Sequence, residues 1–340
     1  MTPLLVELQR VLPDATVDIV SAGDSAADLF RGFANVRHSY VLSRRMVRHP
    51  IAIVRTVLRI RRARYDLAID PCEASQSSRF LVAAANATHV LGVPRQSIAG
   101  PEDAQLARRA PAHMAQWPVF LVRHAFERYP AAPDEVYPAL TVKLAPDERA
   151  RGRRVLDGLL RDQNAASAKF VIGVFAEATG AKRYDQAWWE RFIAAFRAEC
   201  ICAIVEIAPP DGRARLASGF PVFSSPSPRE VAAVIANMTG FVCADSGVMH
   251  LASASGTPTV GLFSITDLAK YRPYGAQNHA IDTNGKLPQV VARLASEFMK
   301  SLIADDATAS VQPPIGALAQ KAASDAPRQL TEPLWPEVSE

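Results

Sequence analysis

Short apolar or β-branched runs alternate with longer amphipathic ones along the whole chain, and that alternation limits what it can fold into more than any other feature. Alternating strand-length and helix-length patterns of this kind build βα units around a parallel sheet, so the expected fold class is α/β. In the first half the pattern predicts helices over Pro3–Leu12, Ser25–Arg31, Ile51–Arg64 and Ser75–Ala85, with strands at Thr16–Ser21, Ser39–Leu42, Leu67–Asp70 and His89–Gly92. A Pro-rich irregular stretch, 94–146, holds one helix over Ala112–Tyr129. The second half reads helix Pro146–Leu160, strand Phe170–Phe175, helix Gln186–Phe196 and strand Ile201–Ile207. It continues with a short helix Gly212–Ser218, helix Pro228–Asn237, strand Gly240–Cys243, helix Val248–Ala254 and strand Thr259–Phe263.

Two α/β halves in series follow, which agrees with the two domains that 340 residues suggest at about 150 residues each. The expected division is an N-terminal domain over 1–145, a C-terminal domain over 146–286, a closing helix within 287–304 and a disordered tail over 305–340, rich in Ala, Pro, Ser and Gln. Hydrophobic residues at 49% and charged residues at 21% exclude a wholly disordered chain and a multi-span membrane protein. No run of about 18 uncharged apolar residues is present, and the first residues lack the features of a signal peptide. The four cysteines (Cys72, Cys200, Cys202, Cys243) show no CxxC spacing and read as buried, reduced thiols. A cytoplasmic location is expected. The net charge of +4 is too mild for a nucleic-acid partner.

The segment Phe241–Gly275 carries the chemistry. A strand ends at Asp245-Ser246-Gly247, a helix opens at once, and His250 lies one turn inside it. Ser246 and Gly247 would present unpaired backbone N–H groups at a helix N-terminus, with glycine allowing an anion such as a pyrophosphate to approach closely. Asp245 is either the N-cap or an acceptor for a sugar hydroxyl.

The order and spacing of the segment resembles the C-terminal signature of glycosyltransferase family 9, the ADP-heptose:lipopolysaccharide heptosyltransferases. Asp245, Ser246, Gly247, His250, Leu251, Ala252, Pro258, Val260, Leu262, Phe263, Thr266, Pro273 and Gly275 match that signature, while Ser264 and Leu268 depart from it. The resemblance implies a GT-B-like fold, two Rossmann-like domains facing a cleft, and an ADP-sugar donor used without a metal or other cofactor. It extends to FAEATGAKRYDQAWWERF, where Lys182 would hold the donor phosphates as a point charge and Thr179 would donate a hydroxyl to them. Asp211 is the candidate for gripping the ribose, with Glu206 a poorer second. His250 would orient the donor.

YDLAIDPCEASQSSRF is similar to the family's acceptor-side segment, so Glu73, Ser75 and Arg79 are the acceptor-side candidates. Ordinary helix-start polarity is the competing reading for all three. From Arg31 to Arg64 there are ten Arg and no Asp, Glu or Lys. Such a stretch suits an anionic lipopolysaccharide core acceptor with carboxylates and phosphates, and helix Ile51–Arg64 could rest on an anionic inner-membrane surface; a solvated basic face is the alternative.

Aligned with the family, the chain begins roughly twenty residues late, so the resemblance expects the first strand and the glycine loop carrying the general-base Asp to be absent. No residue of this sequence is its counterpart. The expected activity is inverting, metal-independent transfer of a heptose from an ADP-sugar. The alternatives are a heptosyltransferase acting on a protein acceptor and a non-catalytic nucleotide-sugar-binding or scaffold relative in polysaccharide assembly.

Overall fold

The computed structural model describes residues 1–23, 25–42, 50–72, 75–92, 109–127, 136–162, 170–216 and 219–309. These fall into two units that divide between Pro138 and Ala139.

In the first unit, α1 (Thr2–Val11) leads into β1 (Val17–Ser21), α2 (Ser25–Phe30) and β2 (Val36–Val41). Then come α3 (Pro50–Arg62), β3 (Leu67–Asp70), α4 (Gln76–Ala85), β4 (His89–Gly92) and α5 (Trp117–Glu127). β2 starts three residues before the expected Ser39, because the exposed polar pair Arg37-His38 separates Val36 from the rest of the strand and breaks its apolar pattern. β1 pairs with β2 and β3 with β4, both in parallel, so among the described residues each pair forms its own two-stranded sheet. Leu4 and Leu8 of α1 and Val122 of α5 pack with Val17 of β1, Ile69 of β3 and Leu91 of β4, a single apolar cluster that spans both pairs.

Two polar links reinforce that cluster. Arg123 reaches Glu7 through two bonds, Nε to Oε1 at 2.9 Å and Nη2 to Oε2 at 3.0 Å, and both side chains are buried. Asp18 on β1 accepts bonds from Arg37 Nε (3.0 Å) and Nη2 (2.8 Å) and from the Tyr65 hydroxyl (2.6 Å), tying β2 and the start of β3 to β1. Burial alone would raise the pKa of Asp18, but the bonds from Arg37 and Tyr65 outweigh it and hold the carboxyl at about 2 against an ordinary 3.8. Burial likewise opposes ionisation of Glu7, and its bonds from Arg123 and Arg10 hold its pKa below the usual carboxylate value.

Both acids are depressed in the folded state, so their contribution to stability is fully present above about pH 5, past both ordinary values, and is lost as pH falls through the folded ones. Thermal melts followed by circular dichroism should therefore show the melting temperature falling steeply from about pH 4 towards pH 2. Asp18→Asn should be less stable at neutral pH and should lose less on acidification. An unchanged acid slope in that variant would contradict this assignment.

The second unit contains α6 (Pro146–Asp162), β5 (Val171–Phe175), a 3₁₀ turn (Gly180–Lys182), α7 (Gln186–Glu199), β6 (Ala203–Ile207), β7 (Val222–Phe223), α8 (Pro228–Ile235) and β8 (Gly240–Ala244). It continues through α9 (Gly247–Ser255), β9 (Thr259–Phe263), α10 (Leu268–Tyr271), β10 (His279–Asp282) and α11 (Pro288–Ala309). The six strands are all parallel, in the order β7-β6-β5-β8-β9-β10. β5, β8 and β9 are buried at every position, as strands covered by helices on both faces must be. One layer packs α7 and α11 on the sheet through Trp189, Phe192, Phe196, Val291 and Met299. The other packs α6, α8 and α9 through Leu156, Val231, Ile235 and Met249.

Three expectations need correction. Residues 212–216 form a loop instead of the start of a helix, because the buried Glu206 carboxylate draws in the N–H groups of Arg215 (2.5 Å) and Leu216 (3.2 Å). The edge strands β7 and β10 carry too few apolar residues to show in the sequence pattern, although β10 pairs in register with β9. The closing helix runs on to Ala309, past the expected limit at residue 304. The rest of the expected tail lies outside the described residues.

Cys200 and Cys243 are buried as expected, but Cys72 is exposed and Cys202 only half-buried; all four thiols are free. Burial raises the Cys243 pKa, keeping that thiol protonated.

Candidate active site

The strand order reverses between β5 and β8, where one crossover leaves towards β6 and the other towards β9. Open α/β sheets bind ligands just beyond the carboxyl ends of the strands at such a point. The segments leaving β5 and β8 are those that carry Lys182 and Asp245.

The structure brings these two side chains together: Lys182 Nζ lies 2.8 Å from Asp245 Oδ2. The contact is an ion pair without hydrogen-bond alignment, since that buried oxygen accepts no aligned donor. Lys182 ends the 3₁₀ turn, whose first residue, Gly180, has φ +61, a left-handed conformation that glycine reaches without strain. Thr179 is exposed at the N-cap of this turn, and its hydroxyl makes no capping bond.

Beyond β8, the N-cap of α9 is Ser246 and not Asp245. The Ser246 side chain caps nothing; its Oγ lies 3.2 Å from Cys243 Sγ. Ser246 therefore supplies no side-chain acceptor to the first N–H groups of α9, of which that of Met249 is directed at Cys243 Sγ, at the end of the helix where the backbone dipole favours an anion. A Cβ placed on Gly247 would meet no atom within 4 Å, so open space lies above that first turn. His250, half-buried, follows one turn on.

Around this centre stand residues the sequence pattern did not point to. Tyr184 places its hydroxyl 2.8 Å from Thr283 Oγ1 and stacks on Trp188 at 4.2 Å between ring centres. Burial is the main cause of its raised pKa, so the phenol stays neutral. Glu177, just past β5, holds Arg183 (2.7 Å) and Arg215 (2.5 Å). The apolar alternation could not reveal the Tyr184–Thr283 and Glu177–Arg215 partners, because each of these two pairings joins segments far apart in sequence.

The remaining candidates occupy different settings. Asp211 is exposed and accepts the Arg213 N–H at 3.1 Å, closing its own turn. Glu206 is buried and occupied by two backbone donors; burial raises its pKa, and it offers nothing to a ribose. In the first unit, Ser75 is the N-cap of α4 and accepts the Ser78 N–H, the helix-start role weighed against a ligand role. Arg79 lies in the first turn of the same helix, and Glu73 lies outside the described residues. No group of three or more His, Cys, Asp or Glu among the described residues is placed to hold a metal ion.

The six-stranded parallel sheet, with an open helix N-terminus and a lysine at its switch point, is Rossmann-like, and the chain has the GT-B-like fold of solved glycosyltransferases. A glycosyl transferase of family 9 from Veillonella parvula superposes with a TM-score of 0.69 at 15% identity, covering 89% of this chain and 92% of that one. The E. coli ADP-heptose lipopolysaccharide heptosyltransferase II gives 0.62 at 16%, covering 90% and 94%. The E. coli heptosyltransferase WaaC with ADP gives 0.62 at 18%, covering 88% and 94%. No curated protein matches by sequence. The profile of glycosyltransferase family 9 (heptosyltransferase) matches residues 53–297, and the chain belongs to that family.

Proposed function

We propose that the protein transfers a heptose from ADP-heptose to a lipopolysaccharide core acceptor, with inversion and without a metal ion, at the cytoplasmic side of the inner membrane. The observation that carries this reading is the Lys182–Asp245 pair beside the uncapped N-terminus of α9. The donor diphosphate lies on the N–H groups of Ser246 and Gly247 with Lys182 as its counter-charge, and Thr179 donates a hydroxyl to it. Asp245 keeps Lys182 in place until the diphosphate arrives. His250 orients the donor, and the loop at Asp211 faces the ribose.

In the transfer, an acceptor hydroxyl attacks the anomeric carbon while the bond from that carbon to the β-phosphate oxygen breaks. ADP leaves with the electron pair, and the hydroxyl proton is released to water as the new glycosidic bond forms. Negative charge grows on the diphosphate as the bond breaks, so donors fixed in advance at that point lower the barrier. Lys182 and the α9 N–H groups supply that stabilisation.

Gly247→Val tests the placement of the diphosphate. The added side chain enters open space, so the melting temperature should stay at the wild-type value. It would block the approach to the helix N-terminus and remove one or two charge-assisted bonds, weakening ADP binding about ten- to a hundredfold by calorimetry. Wild-type ADP affinity in this variant would place the diphosphate elsewhere. ADP-heptose binding by the wild type with no turnover on any acceptor would favour a non-catalytic nucleotide-sugar binder.

A further inference from the structure

Helix α3 buries one face and leaves an apolar stripe on the other. Ile60 is buried, with Ile53, Thr56 and Val57 half-buried along the same side. Ile51, Val54 and Leu58 are 69%, 56% and 42% exposed. Their spacing of three and four residues aligns them in one row. At about 100° per residue, Arg61 borders this row on one side and Arg55, Arg59 and Arg62 on the other, and all four are exposed. Single exposed apolar residues are ordinary on a protein surface, but a row of three with arginine on both flanks is not a typical solvated helix face. The neighbouring helix α4 also exposes a large apolar residue, Phe80.

The charge distribution is equally one-sided. The stretch 31–64 holds ten Arg and no acid, a charge of +10, which leaves −6 for the rest of a chain whose total is +4. A bilayer with anionic headgroups meets both features together: phosphates face the arginines on either flank while the apolar row enters the acyl boundary. A protein groove would need an apolar floor and two acidic rims to do the same, and a nucleic acid would leave the apolar row without a partner.

We propose that α3 is an interfacial helix that docks the protein on an anionic lipid surface through Ile51, Val54 and Leu58, flanked by Arg55, Arg59, Arg61 and Arg62. The inference does not depend on the transfer reaction. It is tested by co-sedimentation of the full chain with vesicles of phosphatidylethanolamine and phosphatidylglycerol, against vesicles of phosphatidylcholine alone. Binding should be confined to the anionic vesicles and weaken as salt is raised. Arg55→Gln with Arg59→Gln should reduce it about 25-fold, roughly fivefold for each arginine. Ile51→Ser with Val54→Ser and Leu58→Ser should lower it at least about tenfold even at low salt, with circular dichroism unchanged because these side chains face outwards.

Equal binding to both vesicle types, or no binding to either, overturns the proposal. So does wild-type binding by the triple serine variant. If light scattering shows the wild type self-associating through this row, with the serine variant monomeric and vesicles without effect, the row is a contact between copies of the chain and the lipid proposal fails.

Discussion

Lys182→Met is expected to lower the rate of sugar transfer about 10²- to 10³-fold, the usual loss when one fixed donor to a developing negative charge is removed. The loss should fall mainly on kcat, because the charge that Lys182 meets grows as the anomeric bond breaks. Methionine keeps the length and apolar stem of the side chain, so packing changes little. Lys182→Arg should recover part of the rate, since it restores the charge but spreads it over a planar fork instead of a point. Lys182→Met also leaves the buried Asp245 carboxylate without its cation, so a modest loss of stability is expected with the loss of rate. Steady-state kinetics of ADP release with thermal melts on the same preparations separate the two effects. A Lys182→Met enzyme with wild-type kcat would remove Lys182 from the leaving-group site.

Gly152→Ala should destabilise the second unit by about 3 kcal/mol, at the upper end of typical overpacking losses. Helix propensity alone gives the opposite sign, because Ala inside a helix is better than Gly by about 1 kcal/mol. Packing decides the outcome. A Cβ on Gly152 of α6 would stand 2.1 Å from the Ala233 carbonyl oxygen and 2.3 Å from its carbon, and the obstacle is the backbone of α8, which no rotamer change can move. At about 2–4 °C per kcal/mol for a unit of this size, the melting temperature should fall by about 10 °C. The two helices are also joined by Arg229, which bonds Glu148 at 2.8 and 2.5 Å, so α8 is not free to retreat. A stabilised Gly152→Ala protein would mean that α6 and α8 lie farther apart than described.

These two glycines show what the sequence could convey. Gly247 could be singled out because its role is local: a strand, a turn and a helix start within a few residues. Gly152 looks like an unremarkable weak point in a helix, since the carbonyl it makes room for lies some eighty residues away. The same division runs through the fold. Leu67–Asp70, His89–Gly92 and Thr259–Phe263 were legible as strands to the residue, because their apolar runs are short and sharply bounded. β7 and β10 were not, because an edge strand is partnered on one side and needs fewer apolar residues.

The candidate site divides in the same way. Lys182 and Asp245 could each be named from sequence motifs, but only the order of strands places one 2.8 Å from the other. Ser246 as N-cap could not be read from the run Asp245-Ser246-Gly247, in which either of the first two residues could fill that position. Tyr184 and Thr283 are joined by a hydrogen bond across 99 residues of sequence. The loop at 212–216, expected as a helix, follows a buried carboxylate whose burial no local pattern reveals.

The central claim is that the Lys182 turn and the α9 N-terminus hold the diphosphate of a nucleotide sugar while its sugar is transferred. The most direct measurement incubates the protein with ADP-heptose and a Kdo-terminated lipopolysaccharide core acceptor, then quantifies released ADP and heptose-bearing product together by mass spectrometry. The account predicts ADP and product in equal amounts, both strongly reduced in Lys182→Met and Gly247→Val. Transfer that proceeds at the wild-type rate in both variants would contradict it.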